Sequence, residues 1–143
     1  MPDCFQSLSD NELMRRTVLI VEDVDTCAST LEIVFSGIAG LHVVIAASGE
    51  QACRLLDNGM PGLAAIVTDL EMRGMDGFEL IERVRGHAAH RGIPIMVITG
   101  SSDPDAPAQS RKLGADAFFL KPYSPALVRE KMEELLNHEI PTS

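Results

Sequence analysis

The stretch AAIVTDLEMRGMDGFELIERV, residues Ala64–Val84, contains the signals of a strand, a loop and a helix in succession. The run Ala64–Thr68 is short, apolar and rich in β-branched residues, which is typical of a strand covered on both faces. Asp69 follows directly, and a loop leads to a helix that we expect to begin around Asp76 and to end at Gly86. The inward face of this helix is predicted to carry Phe78, Ile81 and Val84.

Four further apolar runs of the same kind lie on either side of this unit. They are Thr17–Val21, Leu41–Ala46, Ile95–Thr99 and Ala117–Leu120. A helical pattern follows each run, so five strands alternate with five helices. This alternation predicts an α/β fold with a doubly wound, five-stranded parallel sheet, in which ligands bind beyond the carboxyl ends of the strands.

The helices are predicted from apolar spacing and from capping residues. The second opens with a capping box from Ser48 to Gln51, and the last with Ser124 as N-cap before a proline. The fourth, roughly Pro107–Leu113, is delayed by two prolines, and its apolar residues are Ala108 and Leu113. The first and last helices have longer apolar faces, formed by Ala28, Leu31, Val34, Phe35 and Ile38 and by Val128, Met132 and Leu135.

Length and composition restrict the class of protein. The chain has 143 residues, 45% of them hydrophobic, which suits one globular domain. A net charge of −9 argues against direct binding to nucleic acid. No apolar run approaches the ~18 residues of a membrane span, and the N-terminus lacks a signal-peptide pattern, so we expect a cytoplasmic protein without membrane contact. Three widely spaced cysteines are interpreted as reduced thiols rather than zinc ligands or disulfides.

Polar side chains follow four of the five predicted strands. They are Glu22 and Asp23 after the first strand, Asp69 and Glu71 after the third, Thr99 at the end of the fourth and Lys121 after the fifth. Each alone is compatible with a helix cap or a solvated surface. Because the carboxyl ends of parallel strands meet at one edge of the sheet, we expect all of them to lie close together.

Such a cluster has a specific chemistry. Converging carboxylates raise one another's pKa unless a cation intervenes. Oxygen ligands select a hard cation such as Mg²⁺, or Mn²⁺ in its place. Aspartate is an established nucleophile for phosphoryl groups, and a metal ion, a lysine and a threonine hydroxyl around it would position and neutralise the phosphoryl oxygens. The sequence therefore predicts a phosphoryl-transfer site.

The motifs around these residues resemble the receiver domains of two-component response regulators. The matching segments are VLIVEDVD at Val18–Asp25, VTDLEMRGMDGFEL at Val67–Leu80, MVITG at Met96–Gly100 and GADAFFLKPY at Gly114–Tyr123. The resemblance extends from Thr17 to about His138, and the spacings of 30 residues from Asp69 to Thr99 and 22 from Thr99 to Lys121 fit it. It implies a chemotaxis-regulator-like, flavodoxin-like fold with strand order 2-1-3-4-5.

The resemblance also implies the role of each residue in phosphorylation. Asp69 corresponds to the phosphoacceptor, Lys121 to the phosphate-binding lysine and Thr99 to the switch hydroxyl. Phe118 corresponds to the aromatic residue that turns inward when the threonine engages the phosphoryl group.

A metal site is implied by the same resemblance. Asp23 and Asp69 correspond to direct ligands, Glu22 to a ligand acting through water, and Glu71 to a ligand through its backbone carbonyl. The Lys121–Pro122 peptide bond is expected to be cis, which the weak trans preference at proline permits.

The implied function is that of a signalling switch rather than an enzyme with a separate substrate. The phosphoryl donor would be a histidine kinase or a histidine phosphotransfer protein. Phosphorylation would alter the face formed by the fourth helix, the fifth strand and the fifth helix, which would then bind a downstream protein or a second copy of the chain.

Two alternative functions remain open on the sequence. Asp23-Val24-Asp25 resembles the opening motif of haloacid-dehalogenase-like phosphatases, although Cys27 stands where that family favours Thr or Val. The second alternative is a receiver-shaped binding module that is never phosphorylated, although such a module would be expected to lack one of the site residues. Whether phosphate appears on Asp23, on Asp69 or on neither would distinguish the three.

The predicted domain organisation is an N-terminal extension at 1–16, a receiver domain at 17–138 and a tail at 139–143. Ser9 to Glu12 could cap a short helix in the extension. We expect a free-standing protein, with a receiver cut from a hybrid kinase as the alternative. His87 and His90 could form a metal pair, but histidines at this place more commonly favour the negative end of a helix.

Overall fold

The computed structural model describes residues 16–139 and contains the predicted doubly wound sheet. The strands are β1 (Arg16–Val21), β2 (Leu41–Ala46), β3 (Leu63–Thr68), β4 (Ile95–Thr99) and β5 (Ala117–Leu120). All neighbours pair in parallel, and the order β2-β1-β3-β4-β5 confirms the order implied by the resemblance.

The first and third strands each begin one residue earlier than predicted. Arg16 pairs with Leu41, and its N–H donates to the carbonyl of Gly40 at 3.2 Å, so this residue belongs to the sheet and not to the extension. Leu63 likewise pairs with Thr17. The rest of the predicted extension, with its proposed cap at Ser9 to Glu12, lies outside the described residues, as do 140–143 of the tail.

Five helices cover the two faces of the sheet. They are α1 (Asp25–Ser36), α2 (Gly49–Asp57), α3 (Gly77–Gly86), α4 (Ala106–Leu113) and α5 (Pro125–Glu139), with a short 3-10 turn at Ala88–His90. Among residues 16–139, no helix has both the length and the apolar character that crossing a membrane requires.

The predicted helix caps are present with one difference. Ser124 Oγ accepts the N–H of Leu127 at 3.3 Å at the start of α5. Ser48 Oγ accepts the N–H of Gln51 at 3.0 Å, but the side chain of Gln51 accepts the N–H of Ala47 at 2.7 Å instead of closing the capping box on Ser48. Only one of the two hydrogen bonds of the predicted capping box is therefore present, because the side chain of Gln51 bonds the residue before Ser48.

The core is divided by the sheet into two apolar layers, one against α2, α3 and α4 and the other against α1 and α5. The helix α4 begins at Ala106, one residue before the predicted start at Pro107. Its buried residues are Ala106 and Ser110, while Ala108, one of the two apolar residues noted in the sequence, is exposed. Since the helices cover both faces of the sheet, a ligand is expected beyond the carboxyl ends of the strands.

Candidate phosphoacceptor site

The carboxyl edge of the sheet brings together Glu22, Asp69, Thr99 and Lys121, as predicted. Main-chain hydrogen bonds continue the sheet past its last strand residues and fix these positions. The N–H of Asp69 donates to the carbonyl of Val21 at 3.2 Å, and the N–H of Lys121 donates to the carbonyl of Thr99 at 2.8 Å. The backbone therefore presents the four side chains on one side of one edge.

The ammonium group of Lys121 joins the carboxylates of Glu22 and Asp69. Its Nζ lies 2.8 Å from Glu22 Oε1 and 2.9 Å from Asp69 Oδ2. Glu22 is 2% exposed and Asp69 is 7% exposed. Because a buried charge is costly unless it is paired and hydrogen-bonded, one ammonium group holds both carboxylates in place.

The pKa values of the two carboxylates are displaced in opposite directions. Burial raises the pKa of Glu22 above its ordinary value, with the negative charge of Asp69 adding to the effect and the hydrogen bond from Lys121 opposing it. Burial also acts to raise the pKa of Asp69, but hydrogen bonds from Thr99, from Lys121 and from the N–H of Glu71 outweigh it, so the pKa is lowered. Asp69 is therefore kept ionised, as a nucleophile must be.

The pKa of Lys121 is displaced by the same contacts. Burial acts to lower it, but hydrogen bonds and charge interactions with Glu22 and Asp69 hold the pKa well above its usual range. Lys121 is thus a cation at neutral pH. Its positive charge opposes the repulsion by which the two carboxylates raise one another's pKa.

Asp23 is directed to the loop after β3 and not to Lys121. Its Oδ2 accepts the N–H of Arg73 at 3.1 Å and lies 3.7 Å from the guanidinium Nε of the same residue. The side chain of Arg73 is 93% exposed, so the ion pair is weak. The prediction that Asp23 lies at the same edge is confirmed, while its partner Arg73 was not predicted.

The loop after β3 packs tightly against Asp69. The N–H of Glu71 donates to Asp69 Oδ1 at 3.0 Å, while the side chain of Glu71 is exposed. The N–H of Gly77 donates to the carbonyl of Leu70 at 3.0 Å, and a Cβ on Gly77 would collide with the carbonyl of Asp69. Only glycine fits there, so the start of α3 fixes the backbone that carries the acceptor residue.

The donor set at this edge fits the chemistry of a hard divalent cation. Glu22, Asp23 and Asp69 carry three negative charges, and Lys121 supplies one positive charge, so two negative charges remain. All of the donors are oxygen atoms, which favours Mg²⁺. Between residues 16 and 139, however, no group of three or more His, Cys, Asp or Glu side chains is already arranged around one point. A cation there would compete with Lys121 and Arg73 for the carboxylates.

Thr99 and Phe118 lie on the neighbouring strands β4 and β5, where Thr99 pairs with Leu120 and Phe118 pairs with Val97. Thr99 is fully buried, and its Oγ1 accepts the N–H of Ser101 at 3.3 Å. Phe118 is half-buried against the layer that includes α4, beside a small cavity lined by Pro107, Ser110 and other residues.

The structure also bears on two smaller sequence predictions, the cis proline bond and the histidine pair. The Lys121–Pro122 peptide bond is cis. Away from the site, after the end of α3, the rings of His87 and His90 are tilted against each other with centroids 4.7 Å apart, and His90 Nε2 lies 3.3 Å from the carbonyl of Leu56. His90 is therefore a buried, hydrogen-bonded histidine, which favours the structural interpretation over a metal pair.

Comparison with known proteins identifies the family. The family model of the response regulator receiver domain matches residues 18–133. The chain belongs to this family.

Relatives within the family are of several kinds. A chemotaxis protein CheY homolog of Campylobacter jejuni is 26% identical over 83% of this chain and 91% of its own length. A probable transcriptional regulator of Cyanophora paradoxa is 32% identical over 92% of this chain, which spans only 53% of that protein. The signal receiver domain of a histidine kinase from Syntrophus aciditrophicus has a TM-score of 0.79 at 30% identity, covering 90% of this chain and 95% of that one.

Proposed function

We propose that this receiver domain accepts a phosphoryl group on Asp69 and transmits the change to a partner through the face formed by α4, β5 and α5. The observation that carries the proposal is the buried, ionised Asp69, held 2.9 Å from the ammonium of Lys121 at the carboxyl edge of the sheet. A nucleophile beside a fixed cation meets the main demands of phosphoryl transfer, which are positioning and neutralisation of charge.

The chemical step would run from a phosphohistidine to Asp69. A carboxylate oxygen of Asp69 attacks phosphorus and forms an acyl phosphate, the P–N bond breaks, and its electron pair stays on the imidazole, which then takes a proton. Lys121 donates to a phosphoryl oxygen. Asp23, Asp69 and the carbonyl of Glu71 would hold a Mg²⁺ ion, with Glu22 acting through water, and the ion would supply positive charge to the phosphoryl oxygens.

The donor is proposed to be a histidine kinase or a histidine phosphotransfer protein. Lys121 and Pro122 line an open, mostly apolar groove of about 340 Å³ beside α1, whose Thr30 lies on the opposite wall. Such a groove suits a donor that is itself a protein, because the donor can bury apolar side chains beside the reacting atoms. Thr30→Arg is expected to slow transfer from the kinase and to leave phosphorylation by acetyl phosphate unchanged.

The switch is proposed to work through Thr99 and Phe118. The Thr99 hydroxyl would turn from its present contacts to a phosphoryl oxygen, and the Phe118 ring would move inward into the space beside it. The altered face would bind a downstream protein or a second copy of the chain.

The proposal is tested by the intact mass after incubation with acetyl phosphate. Wild type is expected to gain one phosphoryl group only when Mg²⁺ is present, and Asp69→Asn is expected to gain none. A wild type that gains nothing from acetyl phosphate or from its kinase would favour an unphosphorylated binding module. A gain that survives in Asp69→Asn but is lost in Asp23→Asn would favour the phosphatase-like alternative.

A further inference from the structure

The loop between β3 and α3 is held at two points by side chains from elsewhere in the chain. The N–H of Arg73 donates to Asp23 Oδ2 at 3.1 Å, and the N–H of Met75 donates to Glu50 Oε2 at 3.0 Å. Asp23 follows β1, and Glu50 lies in the first turn of α2. The loop that begins at Asp69 is therefore anchored from two sides.

The anchor on α2 is reinforced by close packing. A Cβ on Gly49 would lie 2.9 Å from the Cβ of Met75, and Met75 Sδ lies 3.8 Å from Cys53 Sγ. Gly74 has a φ of +77°, and a Cβ there would lie 2.7 Å from Glu50 Oε2. The loop backbone thus rests directly on the first turn of α2, and the two glycines make this approach sterically allowed.

We propose that Glu50 is a positioning residue for the phosphoacceptor site. Its carboxylate accepts the N–H of Met75 and so fixes the loop that presents the main chain of Glu71 to a divalent cation beside Asp69. Glu50 itself touches none of the reacting groups. The inference rests on the proposed function in one respect, namely that a divalent cation binds at this edge.

The physical basis is the ordering cost of the loop. A carbonyl that is already held in place loses little conformational freedom when it ligates a cation, whereas a carbonyl on a loose loop must be ordered first. Loss of the Glu50 anchor is therefore expected to weaken the affinity for Mg²⁺ while Asp69, Lys121 and Asp23 are all still present.

Three variants separate anchoring from charge and from helix stability. Glu50→Ala removes both the acceptor and the charge, whereas Glu50→Gln removes the charge and keeps an amide oxygen that can accept the N–H of Met75. Gln51→Ala is the matched control, since it removes a side-chain bond to the backbone N–H of Ala47 at the same turn of α2 without touching the loop.

Two quantities are measured on the full chain: the Mg²⁺ affinity by calorimetry and the hydrogen exchange of the Met75 amide by NMR. Glu50→Ala is expected to weaken Mg²⁺ binding by about fivefold, the effect of one ordinary hydrogen bond, and to speed exchange at Met75. Glu50→Gln and Gln51→Ala are expected to stay within about twofold of wild type in affinity.

Several outcomes would overturn the inference. Unchanged affinity and unchanged exchange in Glu50→Ala would show that the loop does not depend on this anchor. Equal losses in Glu50→Ala and Glu50→Gln would assign the effect to charge. If wild type itself binds no Mg²⁺, both this inference and the cation of the proposed function fail. If wild type binds Mg²⁺ and Glu50→Ala binds it equally well, only the positioning role of Glu50 fails.

Discussion

Two cations lie at opposite ends of the sheet in very different surroundings. At the amino end, Arg85 makes five hydrogen bonds, four of them to the carbonyl oxygens of Gly114, Arg91 and Ile93 and one to Asp116. At the carboxyl end, the charged partners of Lys121 are two buried carboxylates. Arg85 therefore contacts uncharged carbonyl groups and one carboxylate. Lys121, by contrast, has one positive charge beside two negative charges.

This difference separates a structural cluster from a reactive one. Arg85 joins the end of α3 to the loops before β4 and β5, and its planar, five-donor group suits several fixed carbonyl acceptors. The Lys121 cluster, by contrast, has charge left over for a second cation and an ionised nucleophile beside it. Substitution of Arg85 should therefore lower the stability of the fold, and substitution of Lys121 should lower the rate of phosphorylation.

The largest effect is expected from Lys121→Met. The rate of phosphorylation by acetyl phosphate should fall at least about 100-fold, because a fixed cation next to the phosphoryl oxygens is lost. Lys112→Met, on the exposed side of α4, is the control and should keep the wild-type rate. A rate for Lys121→Met within about fivefold of wild type would show that the Lys121 cluster is not reactive.

The structural end is tested by Arg85→Met. The free energy of unfolding is expected to fall by about 2–4 kcal/mol, because several carbonyl groups and Asp116 lose their donors together. Phosphorylation by acetyl phosphate should be unchanged at temperatures where the variant is folded. Arg83→Met, two residues earlier in α3 and exposed, should cost at most about 0.5 kcal/mol, and an equal cost for both variants would contradict the role assigned to Arg85.

The two carboxylates beside Lys121 should respond differently to pH. In metal-free protein, Glu22 should take up its proton first as the pH falls, because its pKa is raised from 4.5, while the pKa of Asp69 is lowered from 3.8. Asp69 thus stabilises the fold above its unfolded pKa, and this contribution is lost as the pH falls through the folded value. Glu22 has the opposite sign, since the cost of its ionisation disappears on protonation.

Carbon-detected NMR of the side-chain carboxyl groups measures both titrations directly. The order of protonation would be reversed if Lys121 and Thr99 did not hold Asp69 in its ionised form. In that case Asp69 would titrate above Glu22, and the hydrogen bonds assigned to it would have to be abandoned.

The smallest effect is expected from Glu71→Asn. The exposed carboxylate of Glu71 lies beside the acceptor, where its negative charge should repel an attacking hydroxide or an acidic auxiliary group. Its removal is expected to speed loss of the phosphoryl group by about two- to fivefold, the scale of one exposed charge interaction. The decay of phosphorylated protein after removal of the donor gives the rate, and an unchanged half-life would refute this role.

The sequence predicted the reactive end of the molecule better than the structural end. The strand runs located Asp69, Thr99 and Lys121 correctly, since apolar periodicity and motif spacing fix where a strand ends. The same reasoning missed Arg85, because an arginine in the last turn of a helix is common and its acceptors are backbone carbonyls, which leave no trace in residue identity.

Side-chain direction was the second limit on what the sequence could predict. Asp23 was expected at the same edge of the sheet and lies there, but nothing in the sequence indicated that its carboxylate accepts the N–H of Arg73 on the neighbouring loop. Glu50 gave no signal for a similar reason, since its contact is with a backbone N–H 25 residues away. Residue patterns place a backbone at an edge, but local hydrogen bonds choose the direction of each side chain there.

Phosphorylation of Asp69 is tested most directly by locating the phosphorylated residue chemically. The protein is phosphorylated with acetyl phosphate and Mg²⁺, reduced with borohydride, which converts an aspartyl phosphate to homoserine, and digested for peptide mass spectrometry. We expect homoserine at position 69 and at no other aspartate. Homoserine at position 23, or its absence throughout a chain that has gained phosphate, would contradict this expectation.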